Sequence, residues 1–122
     1  MALILVVDDE FSVAEVVESI LTDAGHEIVT ASNGRQGLER ASERRPDLVL
    51  LDFMMPIMSA PRMLKAMREN PALRDIPVVI MSSLPESTIS QSAKNKYAAF
   101  LRKPFKVRDV LAVVDAALHR PG

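Results

Sequence analysis

The chain opens with an uninterrupted apolar run, Leu3-Ile4-Leu5-Val6-Val7, that stops at three acids, Asp8-Asp9-Glu10. A strand with one wet face alternates apolar and polar residues. A run that is apolar at every position belongs to a strand buried on both faces, as in a parallel sheet. Such a strand needs a layer of helices on each side. Its carboxyl end then delivers acids to the edge of the sheet, where open α/β folds bind their ligands. Two chemistries fit at this point: oxygen ligands for a hard cation, or acids for proton transfer.

The rest of the chain repeats the unit. Apolar residues at Val13, Val16, Val17, Ile20, Leu21 and Ala24 form a helical stripe that Gly25 closes. His26 to Ala31 reads as a second strand. Ser32-Asn33-Gly34 reads as a turn, with Asn33 and Gln36 spaced like a capping box. The next helix runs to about Arg44, burying Leu38 and Ala41, and Pro46 ends it. Asp47 to Asp52 is again an apolar run that ends in an acid. The loop Phe53-Met54-Met55-Pro56-Ile57-Met58 is unusually apolar, which places it against the site. Pro61 suits the first turn of a third helix, with Met63, Leu64 and Met67 inward. Ile76 to Met81 is a fourth strand, ending at Ser82-Ser83. A serine-rich helix follows from Pro85 to about Asn95, with Ile89 and Ala93 as its stripe. Ala98 to Leu101 is a fifth strand before Arg102-Lys103-Pro104. A last helix aligns Val107, Val110, Leu111, Val114 and Leu118, and residues 120–122 are expected to fray.

Five strands alternating with five helices predict one α/β domain over residues 1–122, a doubly wound parallel sheet. Right-handed crossovers favour the flavodoxin-like order 2-1-3-4-5, with the switch point between strands one and three. Those two strands end in Asp9 and Asp52.

Composition narrows the function. The net charge of −1 gives no electrostatic case for a nucleic acid or an anionic membrane as partner. Cysteine is absent, which removes disulfide and thiol chemistry. No apolar run approaches the ~20 residues that span a bilayer. A cytoplasmic domain is the expectation.

The topology brings Asp8, Asp9, Asp52, Ser82 and Lys103 to one edge of the sheet. Three carboxylates against one ammonium leave a charge that a single divalent cation cancels. The ligands are all oxygens, with no His or Cys beside them, which selects Mg2+ over zinc. A cation, an ammonium and a hydroxyl around one carboxylate suit a phosphoryl group. Asp52, the acid not needed for the metal alone, is then the nucleophile.

At these positions the sequence resembles the receiver domains of two-component response regulators, over essentially its whole length. Val6-Val7-Asp8-Asp9-Glu10 is similar to the acidic pair, and Asn33-Gly34 to the turn before the second helix. Leu51-Asp52-Phe53-Met54-Met55-Pro56 is similar to the phosphoacceptor and its D-x-x-M-P loop. Ser82 sits at the Ser/Thr switch position, and Lys103-Pro104-Phe105 resembles a K-P-F motif. The resemblance implies that Asp9 and Asp52 bind Mg2+ directly, Asp8 helps through water, and the Met54 carbonyl completes the protein ligands. It implies that Lys103 contacts the phosphoryl group, that the Lys103–Pro104 bond is cis, and that Phe100 occupies the aromatic switch position. The implied donor is a histidine kinase or histidine phosphotransfer protein. The implied output is a downstream protein bound by the face of helix four, strand five and helix five. No catalysis beyond the chain's own phosphorylation and dephosphorylation is expected.

Some residues depart from the family pattern. Phe100 has no hydroxyl where Tyr is commoner, Ser83 stands in place of Ala, Ser59-Ala60-Pro61 replaces Asp-Gly, and Lys96-Tyr97 replaces Gly-Ala. Competing readings are less well served. A Mg2+-dependent phosphohydrolase with an aspartyl nucleophile would want a second acid at position 54, where Met54 stands. A flavodoxin-like electron carrier would want a phosphate cradle where Asp8-Asp9-Glu10 repel one. A degenerate receiver used as a scaffold would not need the acid, hydroxyl and lysine set. Asp8 and Asp9 taken alone would suit a helix N-cap, and His26 and His119 are expected as surface residues.

Overall fold

The computed structural model describes residues 2–93 and 97–119. Asn95 and the terminal segment expected to fray lie outside the described residues. The chain alternates β1 (Leu3–Val7), α1 (Phe11–Asp23), β2 (Glu27–Ala31), α2 (Gly34–Glu43), β3 (Leu48–Asp52), α3 (Ala60–Glu69), β4 (Val78–Ser82), α4 (Glu86–Ala93), β5 (Ala99–Arg102) and α5 (Val107–Leu118). All strands pair in parallel, in the order β2-β1-β3-β4-β5. The flavodoxin-like doubly wound fold expected from the sequence is the fold observed. Its strand limits fall within about two residues of those read from the pattern.

The unbroken apolar strands are explained by two cores. Side chains alternate across the sheet, so Ile4 and Val6 face one side while Leu5 and Val7 face the other. The first side packs on Ala14, Val17 and Leu21 of α1 and Val110, Val114 and Ala117 of α5. The second packs on Ala41 of α2, Met63, Leu64 and Met67 of α3, and Ile89 of α4. β1, β3 and β4 are apolar on both faces because both faces are covered.

Two helical stripes differ from the sequence reading. Val16 of α1 is 53% exposed, and Ala14 takes the inward position. In α5, Val107 and Leu111 are exposed while Ala117 is buried. In each case a small alanine lets the helix sit close to the sheet, rotating a larger residue to the rim. Gly25 closes α1 at φ +94°, as expected. Asn33 Oδ1 accepts the Gln36 N–H at 2.9 Å, but Gln36 Oε1 accepts in return from the Ser32 N–H, at 2.7 Å. Gly34 is the first residue of α2 rather than a turn residue. A Cβ there would lie 2.7 Å from the Met58 carbonyl oxygen, so only glycine lets α2 meet the loop after β3. Pro61 occupies the first turn of α3 as expected. His26 is half-buried, and its Nδ1 accepts the Ala2 N–H at 3.2 Å.

Candidate functional site

The backbone ladder runs one residue past the strands that carry the site. The Asp8 N–H donates to Ala31, the Phe53 N–H to Met81 and the Lys103 N–H to Ser82. Asp8, Asp52 and Lys103 are thus fixed to the sheet itself rather than to free loops. Asp8 and Asp52 lie on either side of the β1–β3 switch point, and both side chains are almost fully buried.

Lys103 joins them. Its Nζ stands 3.1 Å from Asp8 Oδ2, 3.2 Å from Asp52 Oδ1 and 3.4 Å from Glu10 Oε1. Burial works against the ammonium, but Asp52 and Asp8 outweigh it and hold the Lys103 pKa above its ordinary value. Burial and the charge of Asp8 push the Asp52 carboxyl up to about 7, although Lys103 pulls the other way and a hydrogen-bonding contact with Asp9 adds to the rise. One ammonium is too little positive charge for the acids around it.

Carboxylate oxygens of Asp8, Glu10 and Asp52 lie within 4.8 Å of one another. The donor set is entirely hard oxygen, which fits Mg2+. In the sequence Glu10 stands only as the end of an acidic run, yet in the fold its carboxylate lies close to both the acids and the ammonium. The signal was present, since a third acid directly follows the pair. Asp9 is exposed and stands outside that group, touching Asp52 instead. Neither Asp8 nor Asp9 is a helix N-cap. Glu10 holds that position, its side chain caps nothing, and its N–H donates to Asp8 Oδ1 at 2.9 Å.

The remaining residues line the approach. Ser82 is buried, and its Oγ accepts the Leu84 N–H at 3.0 Å. Met54, two residues after Asp52, turns its side chain to solvent. Ile57 in the same loop has φ +69°, a conformation that costs a β-branched residue on the order of 1 kcal/mol or more. The Lys103–Pro104 peptide is cis, as the resemblance implied. Phe100 is half-buried and packs on the core shared with α3 and α4. A groove of about 410 Å3 opens beside Lys103 between Val13 and Val16 of α1 and Pro104 and Phe105.

Buried acids at the β1–β3 switch point, a buried hydroxyl at the end of β4 and a lysine just after β5 thus form one polar site at the carboxyl edge of a doubly wound sheet. The family model of the response regulator receiver domain matches residues 4–115, and the chain belongs to that family. It is 32% identical over 120 residues, 98% of its length, to the phosphate regulon transcriptional regulatory protein PhoB of Pseudomonas aeruginosa, of which it covers 52%. The chain thus spans about half the length of the curated relatives it matches. The chemotaxis response regulator CheY4 of Vibrio cholerae superposes with a TM-score of 0.90 at 30% identity, covering 96% of this chain and 98% of that one. The signal receiver domain of a signal transduction histidine kinase from Syntrophus aciditrophicus gives 0.89 at 28% identity, covering 100% and 96%. Among the described residues, no helix is long and apolar enough to cross a membrane.

Proposed function

We propose that the chain is a phosphorylation-controlled signalling module of the cytoplasm whose acceptor is Asp52. One Asp52 carboxylate oxygen attacks the phosphorus of a phosphohistidine carried by a histidine kinase or histidine phosphotransfer protein. The new O–P bond forms as the N–P bond breaks, leaving an aspartyl phosphate and a free histidine. Asp8, Asp9 and Asp52, with the Met54 carbonyl, would hold Mg2+. That ion would neutralise charge on the phosphoryl oxygens. Glu10 adds a fourth acid within reach of the same centre. Lys103 exchanges its contact with Asp52 for one with the phosphoryl group, and the Ser82 hydroxyl donates to another phosphoryl oxygen. The face of α4, β5 and α5 then shifts its population toward a form with different affinity for a downstream protein. Phe100, lacking a hydroxyl, takes part through packing. The chain catalyses only its own phosphorylation and dephosphorylation.

The observation that carries this reading is the Lys103 ammonium bridging two buried carboxylates, one of them held up to about 7 by burial and the charge of Asp8. The test is acetyl phosphate with Mg2+, read by intact mass. The parent chain should gain one phosphoryl group that hydroxylamine removes, and Asp52→Asn should gain none. Equal labelling of the Asn variant would rule out Asp52 as the acceptor.

A further inference from the structure

We propose that Tyr97 and Glu86 form a latch between the start of β5 and the first turn of α4, and that occupation of the Asp52 site by a phosphoryl group opens it. The inference rests on the phosphoacceptor reading above. The Tyr97 hydroxyl donates to Glu86 Oε2 at 3.2 Å. Tyr97 lies just before β5, packed against the core that also holds Phe100, and Glu86 is the first residue of α4. Phe100 cannot hydrogen-bond, and Tyr97 is the single tyrosine of the chain. The phenol available to this face is therefore Tyr97.

The latch matters because few of the described side chains of α4 anchor it. Among its side chains at positions 86–90, Ile89 alone is buried. Ser87, Thr88 and Ser90 are weak helix formers, and Ser90 Oγ bonds only to the Ser87 carbonyl within the same helix. The path from the site to the latch is short. Ser82 Oγ accepts the Leu84 N–H, and Glu86 stands two residues further on. When the Ser82 hydroxyl turns to a phosphoryl oxygen, Leu84 loses its acceptor. The turn before α4 rearranges and draws Glu86 away from Tyr97. Partial burial and the nearby Glu86 carboxylate hold the Tyr97 phenol above its ordinary pKa, consistent with a bond made in the structure as it stands.

The chain has one tyrosine and no tryptophan, so its ultraviolet emission reports on Tyr97 alone. Beryllofluoride with Mg2+ serves as the phosphoryl probe, and its binding is followed in parallel by 19F NMR. A phenol bonded to a carboxylate is quenched, so emission from the parent chain should rise as beryllofluoride binds. Glu86→Ala should start at the higher emission and show no further rise. Tyr97→Phe, which keeps the ring in the core, should bind beryllofluoride about two- to fivefold more tightly, the range of a partly exposed hydrogen bond. A bound fluoride signal with unchanged emission, and with equal affinity in Tyr97→Phe, overturns the latch and leaves the acceptor site intact. Absence of any bound fluoride in the parent chain overturns both.

Discussion

α1 and α4 each follow a strand whose carboxyl end presents a polar residue of the site, yet they are held very differently. α1 has thirteen residues and buries Ala14, Val17 and Leu21 against the sheet. α4 has eight, rich in serine and threonine, with Ile89 as its anchor. The strand before α1 delivers Asp8, while the strand before α4 delivers Ser82. The same strand–helix unit is thus anchored once by three buried residues and once, among the described side chains, by Ile89. The acids proposed to hold a cation sit before the helix with more buried anchors. The hydroxyl proposed to move sits before the weak one. A switch needs an element whose local opening costs less than global unfolding.

The comparison breaks first on core truncation. Leu21 and Ile89 are both fully buried, and a large-to-alanine change at such a site costs about 3 kcal/mol in a firmly packed element. We expect Leu21→Ala to lose that amount in urea unfolding followed by circular dichroism. Ile89→Ala should level off near 2 kcal/mol or below, because α4 can detach before the sheet unfolds. Equal losses would mean that α4 is as integral to the fold as α1, and the division into firm and mobile halves would fail.

The second effect concerns charge in the firm half. Burial and the charge of Asp8 push the Asp52 carboxyl from an ordinary 3.8 up to about 7, so the folded chain holds this proton more tightly than the unfolded one. Its contribution to stability is complete below about pH 4 and is lost as the pH rises toward 7. In metal-free buffer, the stability gained by Asp52→Asn over the parent should therefore grow between pH 4 and pH 8. The growth should reach about 2 kcal/mol, half of what an isolated group with that shift would give, because Asp8 and Lys103 readjust. Mg2+ at pH 8 should stabilise the parent more than the variant. A gap between the two chains that stays constant with pH would contradict the burial of Asp52 beside the charge of Asp8.

Much of this was legible in the sequence, for identifiable reasons. The strand order follows from double burial, which unbroken runs such as Leu48-Val49-Leu50-Leu51 display directly. Asp8, Asp52, Ser82 and Lys103 could be placed at one edge because a parallel sheet puts all its strand ends there. The phase of α1 was harder, since Ala14 is a weaker apolar signal than Val16 although it is the one buried. The Glu86–Tyr97 bond joins residues eleven apart that meet only once α4 and β5 are placed. The close approach of Gly34 to Met58 depends on how α2 meets the loop after β3, which a one-dimensional pattern does not carry. Glu10 is a different case: its position was legible, but its reach to Lys103 depends on a side-chain rotamer.

The smallest effect sharpens the comparison most, because it isolates the joint between β4 and α4. Ser82→Ala removes the acceptor of the Leu84 N–H while leaving the buried strand apolar and intact. The loss of one such bond is worth about 1 kcal/mol, or roughly a fivefold increase in the opening of the segment that follows. Amide hydrogen exchange should therefore speed up about fivefold from Leu84 through Ile89, with no change at Val17 or Leu21 of α1. Acceleration in both helices would show that Ser82 supports the whole sheet rather than the turn it caps. No acceleration in either would show that α4 is held independently of Ser82, and the proposed path from Asp52 to the Tyr97–Glu86 bond would lose its first step.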